Sequence, residues 1–478
     1  MTRARIATTA AYAVQGFGFA VVLTSIPGYK DRLGMGDDVV TLVVLGVCVL
    51  AGLGSALSGV VAARRGARAV VVGGLLLAAL AVAGIGTAPS WLVFFGAIGL
   101  YGLALGAVDA AMNMLGIDVE RGHGRSLLAS FYAANAAGGV LGALAVSGSA
   151  LVGLGQPVAL PLVALLVAVG AGWLALRLPD GGAAARGAAH PDGAAGSARP
   201  HAAPSGTGRP EPSSVGSTRE PGPAAALGTV PWVAAGTIAL LGAGMLAFPV
   251  ADSAVSSWSA TFLRDVLAAS AAAAPLGYAA YQAALIVSRL VGDGLVERLG
   301  RVRVVRLGGT LGALGFVAVA AAPAWPVAVL GLAATGLGLG VVAPLAFSAI
   351  GDRAREAVAA GSVSTGPATP GGHVEDAVAP DRVVEDVLVD VDAGVAPVEP
   401  PAGIVATVTD RAVARLNVFT YAGAVLGGVL TGVFATAHHL RVGFVVLAVL
   451  AAVSAVLAGA FRPARVALVS VSETTPPA

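Results

Sequence analysis

Long apolar runs separated by short polar stretches dominate the hydrophobic pattern of the chain. A transmembrane helix needs roughly 20 apolar residues to cross about 30 Å of hydrocarbon. Twelve runs reach that length, so the pattern predicts an all-α polytopic membrane protein with spans 1 to 12. Their predicted positions are 7–28, 40–61, 69–88, 91–116, 127–152, 157–177, 230–261, 274–294, 304–322, 325–349, 413–435 and 440–461.

Two long polar stretches interrupt this series of spans. Residues 178–229 are rich in Gly, Ala, Pro, Ser and His, a composition that cannot bury enough apolar surface to fold. We expect a disordered linker there, flanked by six-span halves at 1–177 and 230–478. The acidic stretch 351–412 follows span 10 and predicts a mostly disordered insertion in the second half.

Composition agrees with a membrane protein and excludes other classes. The chain is 57% hydrophobic and 11% charged, whereas a soluble domain carries about 25% charge. A net charge of +2 without a basic arm excludes a nucleic-acid partner. Cys48 is the single cysteine and cannot form an internal disulfide. The first apolar run continues to Ile26 without a small-x-small cleavage site, so we expect it to be retained as span 1.

The distribution of arginine predicts the orientation of the spans. Arginines concentrate at the N-terminus and in the loops after spans 2, 4 and 8, whereas the loops on the other side carry few. The positive-inside rule places basic loops in the cytoplasm. Both termini and both long polar stretches are therefore expected to be cytoplasmic.

A short internal repeat relates the two predicted halves. The sequence "AGGVLG" at 137–142 in span 5 recurs as "AGAVLG" at 422–427 in span 11. Glycines four residues apart let helices approach closely, although a chain rich in Gly and Ala also produces such matches by chance. The basic turns after spans 2 and 8 match as well, with Gly66 and Gly300 in the same place. Both matches link span n to span n+6, as in duplicated transporters that bind solute between their halves.

Twelve spans, a mid-chain linker and two basic glycine turns resemble the major facilitator superfamily. The turn is similar to that family's signature of a small residue, an acid and Arg-x-Gly-Arg, but Ala63 stands in the place of the acid in the first copy. The resemblance implies a gating role for these turns. The gating residues it implies are Arg64, Gly66, Arg68, Glu297, Arg298, Gly300 and Arg301.

Three further segments resemble a bacterial branch of that family. They are "GAVDAAMN" in span 4, "GDGLVERLGRVRVVRLGG" from span 8 into span 9, and "PLAFSAIG" in span 10. Span 7 carries "DSAVSSWSATFL", which departs from the branch at its acids. Asp252 stands where the branch carries a glutamate. The resemblance implies a monomeric, multi-pass protein of the bacterial cytoplasmic (inner) membrane that moves a small-molecule substrate by alternating access, and it names no substrate.

Polar side chains avoid spans 3, 6, 9 and 12, whose cores hold no ionisable group. A charge at the bilayer centre costs at least about 2.5–3.5 kcal/mol, so it faces a wet cavity or a partner. In the facilitator fold the other eight spans line the cavity. The candidate substrate or proton pathway consists of Asp109, Asn113, Asp252, Gln15, Tyr132, Asn135, Tyr281, Gln282 and Asn417.

Asp109 is the most central of these candidates. It lies nine residues before Asp118, where span 4 meets a loop, which places it about 13 Å into the membrane. Asp109 shares a helix face with Gly106 and Asn113. We expect a proton or substrate site; the alternative is a structural acid, protonated or bonded to a neighbouring helix.

Two charged residues of the second half have open interpretations. Asp252 follows Pro249, which should kink span 7. That arrangement favours a gate or substrate contact, or else an acid that simply reaches the outer interface. Arg289 is expected to pair with Asp293 or extend to the inner surface rather than contact substrate.

The sequence carries no other catalytic or cofactor motif. Its histidines lie in loops and polar stretches and form no metal set with Cys48, and no phosphate-binding loop or catalytic triad is recognisable. We therefore expect no enzyme, no cofactor and no metal. The favoured function is a secondary active transporter coupled to protons; the alternative is a non-transporting membrane receptor or scaffold that uses the cytoplasmic insertion.

Overall fold

The computed structural model describes residues 2–123, 127–178, 233–364, 402–434 and 439–463. Within those ranges the regular structure is entirely helical. Among the described residues, eleven segments are long and apolar enough to cross a membrane. Span 8 is an equally long helix of 24 residues whose charged groups lower its hydropathy, and with it the predicted twelve-span fold is confirmed. Residues 179–232 and 365–401, in the predicted linker and insertion, lie outside the described residues.

Each span of the first half is one continuous helix. A short extra helix, Ile26–Leu33, joins spans 1 and 2 and has Pro27 in its first turn. A proline there needs no N–H partner, so it starts a new helix where the sequence pattern predicted a continuous run to residue 28. Spans 1 to 6 are Thr2–Thr24, Asp37–Arg65, Ala67–Thr87, Trp91–His123, Leu128–Leu151 and Gln156–Arg177.

Two spans of the second half are broken. Span 7 breaks at Leu246, because Pro249 lacks the N–H that would bond to the Met245 carbonyl. The interruption lies where the sequence predicts a kink, and Leu246 itself keeps helical dihedral angles. Span 10 breaks between Leu339 and Val342. Spans 7 to 12 are Ala235–Met245 with Ala247–Thr261 and the π-helical turn Phe262–Val266, Leu276–Leu299, Arg301–Ala321, Trp325–Leu339 with Val342–Ser364, Ala402–Val433, and Leu440–Val456 with the 3-10 turn Leu457–Phe461.

Spans 10 and 11 extend beyond their predicted ends. The helices run to Ser364 and from Ala402, into the stretch predicted as a disordered insertion. Ala354 and Val358 on span 10 are buried, as are Val408 and Ala412 on span 11. The charges around residue 352 suggested a loop, but the apolar positions between them form a buried helix face.

The repeated glycines have the same packing role in each half. A Cβ atom at Gly138 would lie 2.0 Å, and one at Gly142 2.4 Å, from backbone oxygens of span 1. In the second half, a Cβ atom at Gly423 would lie 2.6 Å from Pro249, and one at Gly427 2.2 Å from a backbone oxygen of span 7. Span 5 therefore packs on span 1 as span 11 packs on span 7, which confirms that the repeat marks close helix contacts.

Charged side chains join the halves at the end of the bundle opposite the basic turns. We call Lys30, Asp31, Asp37, Arg264 and Asp265 the ionic cluster. The Lys30 ammonium bonds Asp37 of its own half and Asp265 of the other, and Arg264 Nη2 lies 3.0 Å from Asp31 Oδ2. Burial favours the neutral amine, but the two carboxylates outweigh it and raise the pKa of Lys30, so the amine stays charged.

Candidate functional site

The two basic turns have nearly identical backbone geometry. Gly66 has φ 82° and ψ 153°, and Gly300 has φ 78° and ψ 152°. Each N–H donates to the carbonyl four residues earlier, at 2.8 Å and 2.9 Å respectively. Positive φ is strained for residues with a Cβ atom, which explains glycine at both positions. The predicted equivalence of the turns is confirmed.

One arginine in each turn bonds to a distant span. Arg68 donates to the Ala175 carbonyl at the end of span 6. Arg301 Nη1 donates to Asp352 Oδ2 at 2.8 Å, and its Nη2 donates to Ser348 Oγ on span 10 at 3.0 Å. The two contacts attach the start of span 3 to span 6 and the start of span 9 to span 10.

The remaining gating residues are exposed. Arg64, Glu297 and Arg298 face away from the bundle. Within the described part of the chain Glu297 and Arg298 form no ion pair with each other, so the acid that distinguishes the second turn makes no bond in this conformation.

Four predicted pathway residues of the first half meet around Tyr12. The Tyr12 hydroxyl donates to Asn113 Oδ1 at 2.7 Å, and the Tyr132 hydroxyl donates to the same oxygen at 2.9 Å. Asn135 Nδ2 donates to the Tyr12 carbonyl at 3.2 Å and to Gln15 Oε1. Spans 1, 4 and 5 therefore share one network of neutral side chains. Tyr12 was not among the predicted pathway residues. The signal that could have found it is a polar hydroxyl group within the apolar run of span 1.

Asp109 lies one helical turn from this network. Asn113 Nδ2 donates to the Asp109 backbone carbonyl at 2.9 Å, which leaves the half-buried Asp109 carboxylate unbonded within the described residues. That part of the chain also brings no Lys or Arg charge to act on Asp109. A Cβ atom added at Gly106, on the same face, would lie only 1.8 Å from a backbone oxygen of span 2. The face thus combines a close helix contact with an unpaired acid.

Asp252 has a different environment in span 7. Its carboxylate interacts electrostatically with Arg289 and lies near the Tyr281 hydroxyl. Arg289 does not pair with Asp293 as the sequence suggested; its guanidinium lies 5.8 Å from the centre of the Phe248 ring. Helix packing brings Phe248 and Asp252 of span 7 to the same region as Arg289 of span 8, which chain spacing does not reveal.

Gln282 belongs to a contact between the halves. Its amide donates to the Tyr278 hydroxyl at 2.6 Å, and both groups face Gly139 of span 5, whose ideal Cβ would lie 3.3–3.4 Å from them. Asn417 lies on the helix of span 11, but its side chain is outside the described part of the structure.

Comparison of the sequence with known proteins identifies its family. The family profile "Major Facilitator Superfamily" matches residues 8–366. An uncharacterised MFS-type transporter of Yersinia pestis is 28% identical over 355 residues, which are 73% of this chain and 80% of the relative. An uncharacterised transporter, y4wD, of Sinorhizobium fredii is 26% identical over 379 residues, covering 79% and 77% of the two chains.

Solved structures share the fold at low identity. The nucleoside transporter NupG has a TM-score of 0.57 and 14% identity, with 96% of this chain and 98% of that one covered. A bacterial homologue of the lysosomal transporter Spinster, inward-facing and occupied, has a TM-score of 0.59 and 12% identity, with 95% of each chain covered. The family profile over residues 8–366 shows that the chain belongs to the major facilitator superfamily, as a multi-pass membrane transporter protein with bacterial relatives.

Proposed function

We propose that the protein is a secondary active transporter that moves a small solute across the cytoplasmic membrane of a bacterium by alternating access, coupled to protons. The observation that carries this proposal is the unpaired, half-buried carboxylate of Asp109 in the middle of span 4. No counter-charge fixes its ionisation, so it can take up and release a proton as its exposure changes.

Alternating access requires one end of the bundle to close while the other opens. The ionic cluster ties the halves together at the end opposite the basic turns. With the basic end in the cytoplasm, this conformation is closed towards the outside, and both termini are cytoplasmic. Breaking Lys30 from Asp265 is then part of opening outwards.

The neutral network around Asp109 supports a proton role rather than a fixed structural one. Tyr12, Tyr132 and Asn113 satisfy one another, and Asn113 bonds only the backbone of Asp109. The carboxyl group of a structural acid would be expected to form hydrogen bonds with such neighbours. The carboxyl group of Asp109 instead remains available to water or solute.

The polar stretches act as tethers in this proposal. Halves at 1–177 and 230–478 move against each other, the linker 178–229 joins them, and the central part of 351–412 leaves the membrane between spans 10 and 11. Shortening either stretch while keeping enough chain to bridge the helices should preserve the movement.

Paired distance measurements test alternating access without a known substrate. In a Cys48→Ser background, spin labels at Leu154→Cys with Ser270→Cys report one end, and labels at Arg65→Cys with Arg303→Cys report the other. Acidification should change the two distances in opposite directions in lipid nanodiscs, and Asp109→Asn should remove that pH dependence. Distances that never change, in either variant or wild type, would favour the alternative of a non-transporting receptor or scaffold.

A further inference from the structure

Three polar groups of the second half lie close together. Tyr281 is completely buried, and its hydroxyl lies beside the Asp252 carboxylate without a hydrogen bond of normal length within the described residues. Asp252 and Arg289 interact electrostatically, yet within the same residues they make no ion pair at 4.0 Å or less. The guanidinium has five N–H donors, and the described residues provide no acceptor for them.

Such a set is costly for the protein when it stands alone. Charged groups in the membrane interior are tolerated where they pair or face a wet cavity, and an unmade bond at a buried polar group costs about 1–3 kcal/mol. Asp252 and Arg289 are half-buried rather than sealed. Because the two side chains make no direct ion pair within the described residues, each can still bond to a third group.

The chemistry of the three groups specifies the group that bridges them. Arg289 offers a planar fork that matches a carboxylate, and its guanidinium lies 5.8 Å from the centre of the Phe248 ring. The Asp252 carboxylate requires a hydrogen-bond donor instead. A ligand that satisfies both carries a carboxylate beside a hydroxyl or an amino group, and the Tyr281 hydroxyl serves either one.

We infer that Arg289, Asp252 and Tyr281 form the substrate site and that the solute is a small hydroxy- or amino-carboxylic acid. This inference rests on the proposed function, since it assumes that the protein transports a solute. Asp252 and Arg289 together are neutral, so the site adds no net charge. A hydroxycarboxylate anion that moves with one proton on Asp109 carries no net charge, whereas an amino acid zwitterion with that proton carries one positive charge.

Matched acids and amides test the inference by binding alone. The purified full chain is heated with lactate, glycerate, alanine or serine, and with the carboxamide of each, and its melting temperature is recorded. At least one acid should raise the melting temperature while its amide does not. Arg289→Gln should weaken that binding by about 10- to 100-fold, the loss expected for a hydrogen bond to a charged group.

The control variant changes the same residue type away from the site. Arg306→Gln removes an exposed arginine of span 9 and should leave binding unchanged. Asp252→Asn should weaken binding of the same acid, with Arg289→Lys retaining part of it. For a bound hydroxy acid, uptake into liposomes should not respond to an imposed membrane potential, whereas amino acid uptake should.

Three results would overturn the inference. They are equal stabilisation by acids and amides, no stabilisation by any of the acids, and binding that survives Arg289→Gln. None of these affects the spin-label distances at the two ends of the bundle. Failure of binding with intact distance changes would therefore reject this site, whereas rigid distances would reject transport itself.

Discussion

Asp109 and Asp252 are both half-buried acids in the interior of a span, but their surroundings differ. Asp109 has a neutral network of Tyr and Asn side chains beside it and no basic group acting on it within the described residues. Asp252 faces the charge of Arg289. An acid without a counter-charge can exchange its proton without breaking an ion pair, whereas an acid that faces an arginine shares its environment with a fixed positive charge. The same residue type therefore supports proton exchange in one half and solute recognition in the other.

Removing the unpaired acid should have the largest effect. Asp109→Asn keeps the shape of the side chain but cannot ionise, so it should abolish pH-driven accumulation of solute while leaving folding and exchange of solute intact. Uptake into proteoliposomes with an imposed pH gradient measures this. Full accumulation by Asp109→Asn would assign the proton to another group, and Asp252 would be tested next.

Removing the acid that faces Arg289 should instead affect stability. Asp252→Asn leaves the charge of Arg289 without compensation, at a cost of about 1–3 kcal/mol. The double variant Asp252→Asn with Arg289→Gln should recover much of that loss, because neither charge remains. Melting temperatures of the three variants measure the coupling; equal stability of the single and double variants would contradict it.

Disrupting the ionic cluster should have an intermediate effect, on the equilibrium between the conformations closed and open at that end of the bundle. Lys30→Met removes the bonds to Asp37 and Asp265 and should shift the spin-label distances towards an opening at that end. Asp31→Asn is the milder comparison, because the Asp31 side chain is 63% exposed and exposed pairs contribute about 0–1 kcal/mol. An equal shift from both variants would remove the special role of Lys30.

The pH response of Lys30 has a defined sign. Its pKa is raised in the folded protein, so its contribution is fully present below the unfolded value of about 10.4 and is lost only as pH rises through the higher folded value. The pH-dependent change of the spin-label distance at this end should therefore persist near neutral pH in Lys30→Met. Loss of that pH dependence would place the proton-sensitive group in the cluster.

The smallest differences are expected in the basic turns. Arg64→Ala and Arg298→Ala should have similar, weak effects on conformational exchange, since both side chains are exposed. Arg301→Ala should slow conformational exchange or lower the stability of the protein more than either of these variants, because it loses the bonds to Asp352 and Ser348. A larger effect for Arg298→Ala than for Arg64→Ala would restore the importance of the acid at Glu297.

The sequence predicted the parts that depend on local chemistry. Apolar run length located the spans, the proline at 249 located the interruption of span 7, and Gly66 and Gly300 marked turns that need positive φ. The ends of spans 10 and 11 were wrong, because buried apolar positions such as Val358 and Val408 alternate with charges. A hydropathy window averages the apolar and charged positions, so a helix of this kind scores like a loop.

The candidate site was only partly predictable for a related reason. Depth and polarity selected Asp109, Asn113 and Asp252 as interior groups. They did not reveal that Tyr12 connects Asn113 with span 5, or that Arg289 faces Asp252 rather than Asp293. Those partners depend on how helices from distant parts of the chain pack and on the broken geometry of span 7.

Infrared difference spectroscopy on acidification tests the central claim most directly. A protonated carboxyl group in a membrane interior has a carbonyl stretch distinct from that of a carboxylate, and the measurement needs no substrate. Acidification of the wild-type protein and of Asp252→Asn should produce this band, whereas Asp109→Asn should lack it. A band that persists unchanged in Asp109→Asn would contradict the assignment of the proton to Asp109.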